Sequence, residues 1–366
     1  MAEIETSVEV AKASRHFYRA TDQAATAVAE LMLQFDVVPP GEKLPKEQKE
    51  ARTLILDNAA AEILKTTFNE LDIGVTVVGC EGDKERQEAK GGVEVDVLEG
   101  FHGSQIGLQY DVVLDPVEGT TAACSRREGA VAIIAFSEAG GLQPTPRQSE
   151  IILGGKDEEV HYMYKLIASA EANGVLDIAR GAQYNVDAMT RLYGKDTLNL
   201  VVMNRPANQD IIDAARAEGI QLTLIEAGDL LPSLAAATGH LVDGKHVVVY
   251  GRGGDQEGRI AAAAAKAFDG FAQGQVWIPS DIKDVPLADL PIFDRDQLVP
   301  GKAQKTGVVF TPITDEKTWF GLSGYDNGTD TLQKPTSLAI LHKDAADVLA
   351  IEHARDHVEN VRVLSN

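Results

Sequence analysis

Asp111-Val112-Val113-Leu114-Asp115-Pro116-Val117-Glu118-Gly119-Thr120 runs from an apolar stretch into a charged turn. Two β-branched residues and a leucine fit a strand covered on both faces, spanning residues 111–114. The strand ends in an acid, and Pro116 fixes the turn. Glu118 follows Asp115 by three residues, and Gly119 lets the backbone approach a ligand closely. Thr120 then presents a hydroxyl and backbone N–H groups. Such a turn points two carboxylates at one spot while a phosphate rests on the amides behind them. Hard cations such as magnesium or manganese take oxygen ligands of this kind. An ordinary strand-to-turn connection, with an acid as the turn former, is the alternative that this stretch leaves open by itself.

The flanking sequence supplies the frame. Apolar residues recur at helical spacing over residues 10–33 and again over 53–70. Pro39, Pro40 and Gly41 end the first of these helices, and the Lys- and Glu-rich stretch 41–52 reads as an exposed excursion. Strands are expected at 74–79, 111–114 and 130–136. A second alternation follows, with strands at 198–203, 222–225 and 246–250 and helices at 208–218, 230–238 and 257–268. Strands and helices in turn imply a layered α/β protein. The break between two lobes, 1–185 and 186–366, is expected near residues 170–195, where the periodicity is weakest.

The chain has 366 residues, enough for two packed lobes. Its 34 basic and 56 acidic residues leave a formal charge of −22. That surface repels nucleic acid and anionic membranes, so neither is expected as a partner. It would also repel a phosphorylated substrate unless bound metal made the site locally positive. No apolar run reaches the ~20 residues of a membrane span. Residues 1–10 carry three glutamates and no signal core, and a cytoplasmic protein is expected. Cys80 and Cys124 are too few for a disulfide framework or a structural zinc site.

Three further acids bear on the site. Asp57 lies within an apolar helical stretch, where an exposed helix face is the commoner fate of an acid. Glu81 follows the strand 74–79 and also fits the start of a solvated, charged loop. Glu257 sits in Gly251-Arg252-Gly253-Gly254-Asp255-Gln256-Glu257-Gly258, read as a glycine-rich loop entering an alanine-rich helix. That loop fits a phosphate nest, although glycine patterns of this kind are common.

Together these segments resemble the class II fructose-1,6-bisphosphatases, which include the cyanobacterial fructose-1,6-/sedoheptulose-1,7-bisphosphatases of the lithium-sensitive, metal-dependent sugar phosphatase superfamily. Asp115-Pro-Val-Glu118-Gly-Thr120 is similar to that family's Asp-Pro-hydrophobic-Asp/Glu-Gly-Thr metal motif. Cys80-Glu81-Gly82 falls where the family has Gly-Glu-Gly. Gln256-Glu257-Gly258 falls where it has Pro-Glu-Gly. Asp57 stands at the helix acid that works with the threonine. Tyr162 and Lys165 match Tyr-Met-x-Lys-Leu, Arg205 a substrate-binding arginine, and Asp229 a sugar-binding acid.

The resemblance implies a layered α-β-α-β-α sandwich of two lobes with the metal site between them. It implies hydrolysis of a sugar phosphomonoester with Mg2+ or Mn2+ on Asp57, Glu81, Asp115, Glu118 and Glu257. Thr120, oriented by Asp57, aligns the attacking water. Gly119, Thr120, Tyr162, Lys165, Arg205 and Asp229 bind the substrate. A homo-oligomer, dimer or tetramer, and a place in carbohydrate metabolism such as gluconeogenesis are expected with it. The chain departs from the pattern on the substrate side: Arg-Pro-Arg is here Arg205-Pro206-Ala207, and Asp-Gly-Asp is Ala227-Gly228-Asp229. A lysine before the helix acid is replaced by the inserted stretch 39–52, and Ala-Pro-Met is missing after Glu81. A shifted substrate is therefore expected. An inositol-type or secondary-metabolite sugar phosphate phosphatase, or a non-catalytic binding descendant of the fold, are the alternatives.

Overall fold

The computed structural model describes residues 2–80, 98–142, 162–278, 286–329, 331–333, 335–340, 348–352 and 361–364. In chain order its helices are α1 (Ala2–Met32), α2 (Lys46–Asn69), α3 (Thr120–Ser125), α4 (Gly181–Tyr193), α5 (Gln209–Glu218), α6 (Leu230–Thr238), α7 (Asp255–Phe268) and α8 (Arg295–Leu298). The strands are β1 (Gly74–Cys80), β2 (Gly100–Gly103), β3 (Gln109–Glu118), β4 (Val131–Glu138), β5 (Tyr162–Ala168), β6 (Leu198–Met203) and β7 (Gln221–Ile225). They continue with β8 (His246–Gly254), β9 (Phe271–Val276), β10 (Ile292–Asp294), β11 (Gly307–Pro312), β12 (Thr336–Ile340), β13 (Val348–Glu352) and β14 (Val361–Leu364).

Two compact units result, one of residues 1–140 with 304–366, the other of residues 141–303. The first holds a sheet in the order β14-β13-β12-β11-β4-β3-β1-β2, the second a sheet in the order β10-β9-β5-β8-β6-β7. Both sheets mix parallel and antiparallel pairs and carry helices, in agreement with the expected α/β class. The division falls elsewhere than at 170–195, because hydrogen bonding overrides chain order. β5 lies before that point yet pairs with β8 and β9 of the second sheet, and β11 returns to pair with β4 of the first. The stretch of weak periodicity holds α4, whose Val186, Ala188, Met189 and Tyr193 are buried. Among the described residues, no helix is long and apolar enough to cross a membrane.

In the first unit α1 buries Val10, Ala13, Phe17, Ala20, Ala24 and Val28, a stripe at helical spacing. Phe17 sits at its centre, meeting Phe136 at 4.9 Å, Tyr110 at 6.0 Å and Phe68 at 6.4 Å between ring centroids. α2 adds Leu56, Ala60, Leu64 and Phe68 to the same cluster. Its start differs from expectation. The stretch 41–52 is exposed, but it turns helical from Lys46, directly after Pro45.

The returning segment is fastened by Arg126, a buried residue in the left-handed region (φ 53°) just after α3. Its Nε and Nη2 donate to the two Asp326 oxygens at 2.8 and 3.0 Å, and Nη2 also donates to the Thr329 carbonyl. Both side chains are nearly sealed from water, at 3% and 0% exposure. Arg126→Met leaves the Asp326 carboxylate buried without its cation, which costs ~3–5 kcal/mol. A urea titration should show a lower midpoint with an unchanged slope. A loss under about 1 kcal/mol would mean that this pair does not secure the segment.

Candidate active site

β3 extends four residues beyond the expected strand, through Asp115 to Glu118. In a regular strand, residues three apart face opposite sides of the sheet. Here the ladder slips: Asp115 pairs with Ile133 and Glu118 with Val131, three residues against two. This β-bulge absorbs the odd residue, so both carboxylates share one face. Val112, Leu114 and Val117 take the other face and pack into the α1–α2 cluster. The two acids are 5% and 6% exposed.

Behind the bulge the chain turns sharply. Asp115 Oδ1 accepts the Val117 N–H at 2.9 Å. Gly119 has φ +77°, and a Cβ there would strike the Gly129 carbonyl. Its own carbonyl starts α3, accepting from the N–H groups of Ala122 at 2.7 Å and Ala123 at 3.1 Å. Thr120 is half-buried. Its hydroxyl donates to the Val117 carbonyl at 2.9 Å, within the turn itself.

α2 braces α3 from the side. Arg52 donates to the Cys124 carbonyl at 2.7 Å, and the Thr53 hydroxyl lies 3.5 Å from Cys124 Sγ. Asp57, half-buried on α2, is close enough for its charge to act on Cys124. Burial first, and this charge in addition, push the Cys124 thiol up, which keeps it an unreactive packing group. Arg127 donates to the carbonyls of Val38, Pro39 and Glu42, so the inserted stretch is pinned beside the turn.

Asp115 and Glu118 thus share one face of the strand. Glu81 lies outside the described residues. Among the described residues no three His, Cys, Asp or Glu side chains form a metal cluster. Two buried, hard oxygen donors on one face suit a magnesium- or manganese-type ion by donor chemistry.

The second unit gathers the other candidates at one end of its sheet. Arg205 follows β6, Asp229 follows β7, and Glu257 follows β8, all beyond the carboxyl ends of parallel strands. That is where open α/β sheets bind ligands. Lys165 is fully buried, with Nζ 2.9 Å from Asp229 Oδ2 and 3.3 Å from the Gly254 carbonyl. The run expected to be a glycine-rich loop is instead the end of β8, paired with β5 as far as Gly254. Its glycines make room: a Cβ on Gly253 would lie 2.9 Å from Asp229 Oδ2 and 3.3 Å from Lys165 Nζ. The half-buried Glu257 folds its carboxylate back over Gly254, at the start of α7.

Tyr162 and Lys165 lie on different faces of the second sheet. Three residues apart on the regular strand β5, they face opposite sides. Tyr162 is 37% exposed and meets Trp277 edge-on at 5.6 Å. On its face Tyr164 stacks on Tyr250, and burial pushes both phenols up, so they stay neutral. Arg205 is exposed, and its side chain makes no hydrogen bond or ion pair among the described residues. Sequence reasoning missed Arg252, whose guanidinium lies 4.4 Å over Tyr164, and Asn208, whose Oδ1 accepts the Arg252 N–H at 2.8 Å. Arg252 was visible only as the odd large residue in a glycine run.

These two mixed sheets, each carrying helices, define an α/β protein. The family model described as bacterial fructose-1,6-bisphosphatase, glpX-encoded, matches residues 12–331, and the chain belongs to that family. It is similar to the D-fructose 1,6-bisphosphatase class 2/sedoheptulose 1,7-bisphosphatase of Parasynechococcus marenigrum, at 33% identity over 240 residues. That match covers 64% of this chain and 64% of the relative. The protein of the same name from Synechococcus elongatus is 30% identical over 237 residues, covering 62% of this chain and 64% of the relative. The chain therefore spans slightly less than two thirds of the length of these curated relatives.

Gly119→Ala tests the turn. The left-handed backbone alone costs an alanine ~1–3 kcal/mol, and the Gly129 carbonyl blocks relaxation. The variant should melt earlier, while alanine at the exposed Thr121 should not. Equal melting of both variants would show that the turn is not under this constraint.

Proposed function

We propose that the chain is a metal-dependent phosphatase of sugar phosphate monoesters. The observation that carries this reading is the bulge, which sets two buried carboxylates on one face beside a Gly-Thr turn. The names of the relatives bring fructose 1,6-bisphosphate and sedoheptulose 1,7-bisphosphate forward as reference substrates. Family membership supports metal dependence, and the hard oxygen donors favour Mg2+ or Mn2+ in this reading. Asp115 and Glu118 hold the metal in this reading, with Asp57, Glu81 and Glu257 as the further ligands that the resemblance implies. When bound, such ions neutralise phosphoryl oxygens and lower the pKa of a bound water.

The chain's own groups do the rest. Because Thr120 gives its proton to the Val117 carbonyl, its oxygen presents lone pairs outward. It accepts a hydrogen bond from the attacking water and aligns it. Gly119 brings backbone N–H groups close to the phosphoryl group. Arg205 supplies an exposed cation for the substrate, while Lys165 and Asp229, buried and locked to each other, fix the geometry of the sheet end that the substrate meets. The exposed edge of Tyr162 gives a sugar ring an apolar surface. Cytoplasmic location and a homo-oligomer, dimer or tetramer, accompany this reading.

Phosphate release from a panel of sugar mono- and bisphosphates tests it. Activity should vanish in excess chelator, return with magnesium or manganese, and be lost in Asp115→Asn. Full turnover in chelator would end the metal assignment. Thr120→Ala should lower kcat by ~10²–10⁴-fold, the usual worth of acid–base assistance. A near-normal kcat would remove Thr120 from the reaction.

A further inference from the structure

Within the first unit, the corner formed by Gly129, Ala130 and Val131 borders the bulge on two sides. Val131 opens β4 and pairs with Glu118. The Gly129 carbonyl fills the space that a side chain on Gly119 would need, and Ala130 Cα lies 3.3 Å from the same point. Whatever fixes this corner fixes both the second acid of the pair and the left-handed turn that follows it.

On its far side β11 pairs with β4 as far as Pro312, which stands opposite Val131. A proline has no N–H to give, and the regular ladder ends there. The next three residues take over. The Ala130 carbonyl accepts from the N–H groups of Ile313 at 2.8 Å and Thr314 at 3.2 Å, and the Gly129 N–H donates to the Asp315 carbonyl at 2.8 Å. One group of the corner is left to a side chain: the Ala130 N–H donates to the Thr314 hydroxyl at 2.9 Å. Thr314 and Ala130 are both buried, so bulk water does not replace that hydroxyl. Thr314 is held from behind in turn. The Ile313 carbonyl accepts the Asp326 N–H at 2.8 Å, Asp315 Oδ1 accepts the Gly324 N–H at 3.0 Å, and a Cβ on Gly324 would strike the Thr314 backbone. Asp326 also receives Arg126 at the end of α3, so the returning segment grips the acid turn at both ends.

We propose that Thr314 is a positioning residue for the acid pair, holding through the Ala130 N–H the corner that keeps Asp115 and Glu118 in metal-binding geometry. This rests on the metal-dependent phosphatase reading above. Thr314 acts through Ala130 rather than on a metal or substrate itself. Valine at this position keeps the shape of threonine but leaves a buried N–H without its acceptor. The corner then moves to find another partner, and the Gly129 carbonyl and Val131 move with it, against Gly119 and Glu118. A hard cation tolerates little of that, since its oxygen ligands must be placed to about 0.2 Å.

The test measures manganese affinity by electron paramagnetic resonance, and kcat and KM on the sugar phosphate panel, in wild type, Thr314→Val, Thr314→Ser and Val308→Ala. Thr314→Val should bind manganese roughly 10–100-fold more weakly, the usual range for groups that orient metal ligands. Its kcat should fall while KM for the sugar phosphate hardly moves, because no substrate contact is removed. Thr314→Ser keeps the acceptor and should restore both. Val308→Ala opens a cavity elsewhere on β11 and should lower stability without weakening manganese binding. Undiminished manganese binding in folded Thr314→Val, an equal loss in Val308→Ala, or no recovery with serine would overturn the assignment, as would a wild type that binds no manganese. Should the valine variant not fold, Thr314→Cys, with its weaker acceptor, replaces it, and unchanged affinity there refutes the role. If wild type binds manganese but releases phosphate from none of the sugars, the phosphatase reading fails, while the manganese comparison still decides Thr314.

Discussion

Two carboxylates three residues apart on a strand belong on opposite faces of a sheet, and the site depends on breaking that rule once. The slip between Asp115 and Glu118 breaks it, setting both acids on one face. The cost is local: one residue leaves the ladder, and Gly119 must adopt a conformation that other residues resist. Much of the first unit's polar bonding lies around that turn. Arg52 steadies α3 from α2, Arg127 ties down the insertion, and Arg126 fastens the returning chain segment. Gly129, against which Gly119 presses, is itself held by the Asp315 carbonyl at 2.8 Å.

The second unit solves a different problem. It buries a lysine in the interior and pairs it with an aspartate at 2.9 Å, both nearly sealed from water. Such a pair is weak evidence for stability, since desolvation offsets most of the attraction. It does fix geometry, and the small residues of β8 make that geometry possible. The departures at Ala207 and Ala227 lie at the same end of the sheet. The Ala207 carbonyl accepts from Arg252, which joins the turn after β6 to the end of β8.

The elements that came out of the sequence are those with a local signature. α1, β6, α6 and the Asp115–Thr120 motif could be read because apolar spacing and turn chemistry act over a few residues. The bulge could not, since it exists only relative to β4. The same holds for the boundary between units. β5 and β11 join sheets through partners that lie far off in the chain, and the hydrophobic run alone does not say which. Tyr162 and Lys165 matched a motif, but a motif does not carry strand parity. Arg252 stands in the sequence only as part of the glycine run, and its ion pair with Asp210 at 3.0 Å is a product of packing.

The central claim is that Asp115 and Glu118, brought to one face by the bulge, hold a divalent cation. Manganese binding followed by electron paramagnetic resonance tests this without reference to any substrate. The account predicts saturable binding to the wild-type protein that weakens tenfold or more in Glu118→Gln, by the loss of one charged oxygen ligand. Undiminished manganese binding in a folded Glu118→Gln protein would contradict it.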